Sequence, residues 1–445
     1  MNQIAIGDPA AWVVLDGQAV AAPFRRAAAF FAFRPDQIIK ERLVIQLVGT
    51  PSQVSDALAV LEKVILRARA YDRGEYSSPQ MLRFQPVSGG GYYYASVKDI
   101  YLEANPDGYL THQTGSMSVI MHYARQNHFD GDQVELPLTG RGGVDILGGY
   151  GLFNHTDTDA AHGSTILIKA ADAITDLPAP LRIELENDYS TGLLKDLYFG
   201  IYHHPTVTDE GVFFANTPVL TGGSAYSDLN AIQGSYRRKT WTASAWTTLF
   251  IYPIPLSEVD DLDGRTYRPL LHLFNAHAYT ELQLRIRLLK GSYVLQSCEP
   301  VYADPNYRYV LFPPLQLPPN QLLRETLPHS VDIYIDGLKE DGTSATLEVD
   351  QLSFLPMDFA ASFLGFYAMA EDDNLIDDNF RQLSNVRFST AGSETIAHSR
   401  LGGQLMLYPR ENTRLFVVMA DATNTIDIMR TAKLRVYYRP RVRFV

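Results

Sequence analysis

Glu184 and Glu186 are the first residues in this chain whose type and spacing invite a chemical reading. They stand two apart in LRIELEN, so on a strand they share one face. Glycoside hydrolysis needs two carboxylates about 5–10 Å apart, usually brought across a cleft by different elements. A single strand carrying both falls short of that, and no catalytic residue is assigned. His203 and His204 are neighbours in LYFGIYHH and point to opposite sides of a strand, which keeps them off one metal ion. Asp260-Asp261-Leu262-Asp263-Gly264 opens like a calcium loop. It lacks the acidic register and the closing glutamate, so it reads as an acidic surface turn. Glu371-Asp372-Asp373 and Asp377-Asp378 read as a solvated, charged linker. There is no G-x-S-x-G, P-loop, H-E-x-x-H or dinucleotide fingerprint, and Gly222-Gly223-Ser224 lacks the closing glycine of a nucleophile elbow. The expectation is a protein that is not an enzyme, with no cofactor and no metal.

Two stretches have the chemistry of surfaces instead. YRRKTWTASAWTTLFIY gathers Tyr236, Trp241, Trp246 and Tyr252. Exposed aromatics can stack on the apolar face of a sugar ring, while buried ones fill a sandwich core. Trp241 and Trp246 differ by five positions and would face opposite ways on one continuous strand. These four are the candidate carbohydrate contacts. The second stretch is the C-terminus, where Arg430 to Val445 holds six basic residues and no acidic one in a chain of net charge −12. Alternation puts Arg435, Arg439, Arg441 and Arg443 opposite Leu434, Val436, Tyr438, Val442 and Phe444. Pro440 marks an edge strand or a bend. Such segregated charge can dock on an acidic patch of a neighbouring copy, or simply protect a solvated edge. The four arginines are the candidate subunit interface.

The elements that must position these residues are nearly all strands. One long helix is expected, over residues 51–73. Thr50-Pro51-Ser52-Gln53 is a capping box with proline at the first helical position, and Val54, Ala57, Leu58, Leu61, Val64, Ile65 and Ala68 recur at helical spacing. Gly74 stops the helix, with RLVIQLVG before it and MLRFQP after it as strands. In ELQLRIRLL, Leu282, Leu284, Ile286 and Leu288 alternate with Glu281, Gln283, Arg285 and Arg287, a half-buried antiparallel strand. VDIYIDGL repeats the pattern, and TLEVDQLSFLP slips by one residue near Gln351, as at a bulge. The expected fold is mainly β: a sandwich domain over 1–178 with one packed helix, a jelly-roll, galectin-like sandwich over 179–358, and a C-terminal β segment over 359–445. That last segment either folds alone or completes the first domain. The prolines at 178 and 180 fit a joint.

Length alone calls for more than one core, because single cores stop growing beyond about 250–300 residues. The acidic balance argues against nucleic-acid binding, which wants a basic field. Cys298 is the only cysteine, so no intrachain disulfide forms and stability rests on burial or on neighbouring subunits. The N-terminus carries Asp8 and Asp16 within its apolar stretch and lacks a basic region, unlike a signal peptide. No run approaches the ~18 apolar residues of a membrane span.

The segments RLVIQLVGT, VSDALAVLEKVILRARAYDRG and PQMLRFQP resemble the N-terminal domains of tail proteins from long-tailed bacteriophages, in which a β-sandwich with one helix forms a ring. LMLYPRENTRLFVVMAD and KLRVYYRPR resemble the endings of virion tail proteins. The middle segment, ending in TLEVDQLSFLPMD, is similar to the carbohydrate-binding jelly-rolls inserted in such proteins. The nearest family is the distal tail protein, the hub joining tail tube to baseplate. The third β segment departs from its simplest pattern. The resemblance implies a virion structural protein of the tail tip, made in the host cytoplasm and assembling as a homo-oligomeric ring. Its implied partners are tube, tape-measure, tip or fibre proteins and a host-surface glycan. The rival expectation is a glycan-binding receptor-recognition or decoration protein with no hub role.

Overall fold

A computed structural model describes residues 3–9, 11–15, 24–28, 38–76, 78–85, 90–104, 116–140, 143–152, 165–188, 193–204, 214–215, 221–229, 231, 235–242, 244–254, 266–317, 331–357, 359–363, 369–380, 385–390, 393–396, 400–421 and 432–443. The chain is mainly β with one long helix, and its sheets are antiparallel. It divides into two compact units. One comprises Met1–Val134, Thr175–Ala179 and Arg439–Val445; the other comprises Glu135–Ile174 and Pro180–Tyr438.

In the first unit the helix spans Pro51–Asp72. Its capping box forms as the residues dictate. Thr50 N–H donates to Gln53 Oε1 at 2.8 Å, Gln53 N–H donates to Thr50 Oγ1 at 3.4 Å, and Gly74 follows with φ +75. Val54, Ala57, Leu61, Val64, Ile65 and Ala68 are buried, against Ile4, Leu43, Ile45, Leu82, Val97 and Met121 of the sheet. Each large aliphatic so buried contributes roughly 1.5–3 kcal/mol. The sheet runs Ala11–Val14, Gln3–Asp8, Met81–Gln85, Tyr93–Ala104, Ser116–Gln126, Ile38–Val48, Phe24–Ala28. Its longest pairing runs in register from Ile38↔Gln126 to Val48↔Ser116. Inside it, Arg125 and Glu41 face each other with side chains 0% and 4% exposed. Arg125 Nε and Nη2 donate to the two Glu41 oxygens at 2.7 Å each, and Tyr123 O–H adds a third donor.

The second unit contains two sets of strands. A two-sheet sandwich is built from residues 214–356. One sheet orders Ser224–Ser227, Ser235–Thr242, Ser344–Pro356, Thr266–Leu273, Tyr309–Leu311; the other orders Thr247–Ile254, Val331–Lys339, Leu282–Lys290, Tyr293–Ser297. One cluster, including Trp241, Phe250, Leu271, Leu284, Ile286, Ile335 and Phe354, fills the space between them. The slip near Gln351 is a bulge: His272 pairs with Gln351 and Leu273 with Val349, leaving Asp350 as the extra residue.

The remaining strands form a seven-stranded and an eight-stranded sheet from 135–204 and 359–438. These two sheets take strands from both sides of residues 178 and 358. Tyr150–Leu152, Ala179–Asn187 and Ala432–Tyr438 hydrogen-bond side by side, the last in the middle. The acidic run expected to be a solvated linker is instead partly strand: Asn374–Asp378 pairs with Ala179–Asn187, and Asp373, Asp377 and Asp378 are buried. The carboxylates are tolerated because backbone and amide donors meet them, Ala370 N–H on Asp373 and Asn379 Nδ2 on Asp377. Among the described residues no helix is long and apolar enough to cross a membrane.

The buried pair yields a first prediction. Arg125→Ala strands the Glu41 charge and is expected to lower stability by about 3–5 kcal/mol. The double replacement Arg125→Met with Glu41→Leu should recover much of that loss, because it leaves no lone charge. Denaturant unfolding of both variants checks this, and equal loss in the two would refute it.

Candidate functional site

The aromatic stretch turns out not to be one strand. Ser235–Thr242 belongs to one sheet of the 214–356 sandwich and Thr247–Ile254 to the other, so the chain crosses between layers at Trp246. Trp241 and Tyr252 point inward and are buried in the core. Tyr236 points outward but is covered by its neighbours. Its ring lies parallel to Phe274 with centroids 4.1 Å apart, and to Tyr226 at 5.5 Å. Trp246 is half-buried, with the Arg285 guanidinium 4.2 Å from its ring centroid. The four expected sugar contacts therefore form no common platform. Strand alternation and the crossing between sheets send them to the core and to two different outer faces.

Each outer face carries a polar network that sequence reasoning missed. On the face shared by Thr247–Ile254, Val331–Lys339 and Leu282–Lys290, the buried Asp336 accepts hydrogen bonds from four donors. These are Arg285 Nε at 3.0 Å, Arg287 Nε at 2.5 Å, Arg287 Nη2 at 3.0 Å and Thr248 Oγ1 at 2.9 Å. Burial opposes ionisation of Asp336, but the hydrogen bonds from Arg287, Arg285 and Thr248 outweigh it and hold the carboxyl below its ordinary value. The alternation in ELQLRIRLL had already turned both arginines outward. Their shared partner depended on the register Arg285↔Asp336, which one strand's sequence does not contain.

On the other sheet's outer face, Glu348 accepts from Arg238 Nε at 2.5 Å and from Asn275 Nδ2 at 2.5 Å. Arg238 also lies 4.7 Å from the centroid of the Tyr226 ring. Cross-strand register makes this cluster, with Arg238 opposite Glu348 and Thr240 opposite Thr346. A backbone bond from Phe274 N–H to the Glu348 carbonyl, 3.0 Å, brings the loop carrying Asn275 alongside.

The arginine-rich terminus is divided as well. Its strand stops at Tyr438 and Pro440 bends the chain, after which Arg441–Val442 pairs with Phe129–Asp130. Ala432–Tyr438 is no edge: it lies between two strands. Its basic residues meet an acidic strand of their own chain, with Arg435 opposite Glu184 and Lys433 opposite Glu186. Lys433 Nζ is 3.0 Å from Asp188. Arg435 Nε donates to the Gly148 carbonyl. Arg441 is a clasp within the first unit: its Nε reaches Asp130 at 2.9 Å, its Nη1 the Pro178 carbonyl at 3.0 Å, and its N–H the Thr175 hydroxyl at 3.0 Å. Arg439 is half-buried, and Arg443 is exposed with its N–H on Asp176.

Glu184 is engaged by Arg182, whose Nε lies 2.9 Å from it. The side chains of His203 and His204, and all of Asp260–Gly264, lie outside the described residues. Among those described, no group of three or more His, Cys, Asp or Glu is placed to hold a metal ion.

No protein-family model matches the sequence, and no curated protein matches it. Among solved structures, the chain aligns over 100% of its length with chains of the phage P2 baseplate in its activated conformation. In the calcium form the TM-score is 0.30 with 8% identity, covering 100% of that chain. In the strontium form it is 0.32, again with 8% identity and full coverage of both chains. The VP2 subviral particle of infectious bursal disease virus aligns over 60% of this chain and 66% of its own, with TM-score 0.15 and 10% identity.

The Asp336 network has a pH signature. Its folded carboxyl is held low, so its contribution is complete above the unfolded-chain value of about 3.9 and is lost as pH falls through the lower folded value. Asp336→Asn is expected to cost about 3 kcal/mol at pH 7 and to flatten the loss of stability as pH falls below the unfolded-chain value of about 3.9. Tryptophan-monitored urea unfolding reads this sandwich, which holds two of the three tryptophans. An unchanged midpoint at pH 7 would refute it.

Proposed function

We propose that this chain is a structural subunit of a bacteriophage tail tip, of the distal-tail or baseplate-hub kind. It assembles with copies of itself into a ring and joins tube, tape-measure and tip or fibre proteins in the virion. The sequence resemblance across both ends of the chain supports the tail assignment. The observation that carries the assembly role is apolar surface left uncovered on a sheet edge. Tyr293–Ser297 ends its sheet with Tyr293 77%, Val294 52% and Leu295 42% exposed, and Tyr302 on the short strand beside it is 63% exposed. No charge interrupts Tyr293–Ser297, whereas an edge meant to stay in water is ordinarily blunted by lysine or proline. The outer side of the helix adds Leu66 and Val60, both exposed.

A second reading is supported by the Arg238–Glu348–Asn275 cluster beside Tyr226: the sandwich of residues 214–356 presents a glycan-binding face, as in a receptor-recognition or decoration protein. The two readings are compatible in one virion protein.

Electron microscopy with solution mass measurement tests the assembly. Closed rings with a central hole are expected from the intact chain, and Val294→Lys with Leu295→Lys should lower the mass of the particles without lowering the melting temperature. A monomer at all concentrations overturns self-assembly. An unchanged mass in the double variant removes this edge from the contact.

A further inference from the structure

We infer that the outer face formed by Ser224–Ser227, Ser235–Thr242 and Ser344–Pro356 binds a neutral saccharide, through the Arg238–Glu348–Asn275 network beside the ring of Tyr226. This deepens the glycan reading above and rests on it.

The side chains form a strip set by register. Tyr226 lies opposite Tyr236, Arg238 opposite Glu348, and Thr240 opposite Thr346, with the two threonine hydroxyls 2.8 Å apart. The strip is open to solvent where a ligand would need it. Tyr226 is 39% exposed, the Arg238 side chain 40%, and Asn275 and Thr240 are exposed. It is also held in place from beneath. Tyr236 is clamped in the stack with Phe274, and Glu348 is mostly buried and fixed by Arg238 and Asn275. A rigid set of polar groups around an aromatic ring lowers the ordering cost of binding a flexible polyol.

Chemistry selects the ligand class. An ionised carboxylate has about four lone-pair sites, and Glu348 already meets Arg238 Nε and Nη2 on Oε1 and Asn275 Nδ2 on Oε2, so Oε2 can accept from one ligand hydroxyl. The guanidinium of Arg238 carries five N–H donors, and the Asn275 amide both donates and accepts. Adjacent hydroxyls of a sugar, each a donor and an acceptor, match that mixture, and the apolar face of the ring matches the tyrosine. Charge excludes an anion as the preferred occupant. Glu348 neutralises Arg238, Arg237 is held on the Gly222 carbonyl, and Lys239 alternates to the side of Trp241, so among the described residues of this face a phosphate or uronate would meet a carboxylate without an unmatched cation. The opposite sheet offers less to a ligand, because Asp336 already takes four donors and its side chain is 1% exposed against 11% for Glu348.

The test is calorimetric titration of the intact chain with the methyl glycosides of glucose, galactose, N-acetylglucosamine and rhamnose and with oligosaccharides of each. Glucuronic acid and inorganic phosphate serve as anionic controls. Saturable binding of at least one neutral sugar is expected, weakened about tenfold or more in Glu348→Gln and in Tyr226→Ala, and retained in Trp246→Ala. Near-ultraviolet circular dichroism and solution mass on the same samples establish that the variants are folded. Binding lost in Trp246→Ala but kept in Glu348→Gln and Tyr226→Ala overturns this site while the glycan reading stands. Preference for the anions overturns the ligand class. No binding by any neutral sugar overturns both the site and the glycan reading, while the assembly reading is judged separately on particle mass.

Discussion

Seven residues of backbone pairing, from Leu181↔Tyr438 to Asn187↔Ala432, close the second unit between chain segments some 250 positions apart. Much of what surrounds them follows from that closure. Ala432–Tyr438 satisfies one row of backbone groups on Ala179–Asn187 and another on Tyr150–Leu152, so three distant stretches become one layer. Its inward residues Leu434, Val436 and Tyr438 then reach the interior, and its outward residues are brought beside Glu184 and Glu186. Loop closure over such a span is entropically unfavourable, though only logarithmically in length. The closed layer offsets it with hydrogen bonds and burial along the whole strand.

That pairing also explains the fate of the charges at the terminus. A block of six basic residues in an acidic chain looks unmatched in one dimension. Folding places Lys433 opposite Glu186 and Arg435 opposite Glu184 of LRIELEN, and Arg441 between Asp130 and the Pro178 carbonyl. Carboxylates of the same chain thus meet Lys433, Arg435 and Arg441. Arg443 stays at the surface, and a contact built on Arg435 or Arg441 would first have to displace their internal partners.

What was legible in the sequence was whatever depends on neighbours along the chain. The helix could be read to within a residue of its end, because its cap, its stop and its buried face are all local. The alternation of Leu282 to Leu288 with Gln283 to Arg287 gave both faces of a strand correctly. The bulge beside Gln351 was visible as a break in period, and the mainly β character followed from strand alternation and turn spacing. Register was not legible. Nothing in RIR names Asp336 as its partner, and nothing in YRRKTW names Glu348. The buried acidic strand Asn374–Asp378 was misread for the same reason, since carboxylates read as solvated until their donors are known.

The two outer faces of the 214–356 sandwich therefore differ in a way that composition hides. Both have arginine, a carboxylate and an aromatic ring at strand spacing. On one, Asp336 lies beneath two arginines and a threonine whose hydrogen bonds converge on it, so the charges hold three strands in register. On the other, Glu348 takes one arginine and one amide, and the groups that hold it stand at the surface. A saturated, buried carboxylate has little left to offer a newcomer, and removing one of its partners leaves a charge in the interior. Glu348 is less deeply buried, 11% exposed, and keeps one lone-pair site with which to accept a ligand hydroxyl. The same residue types thus make a structural staple on one sheet and a receptive surface on the other, and the exposure of the carboxylate and of its arginine partners decides which.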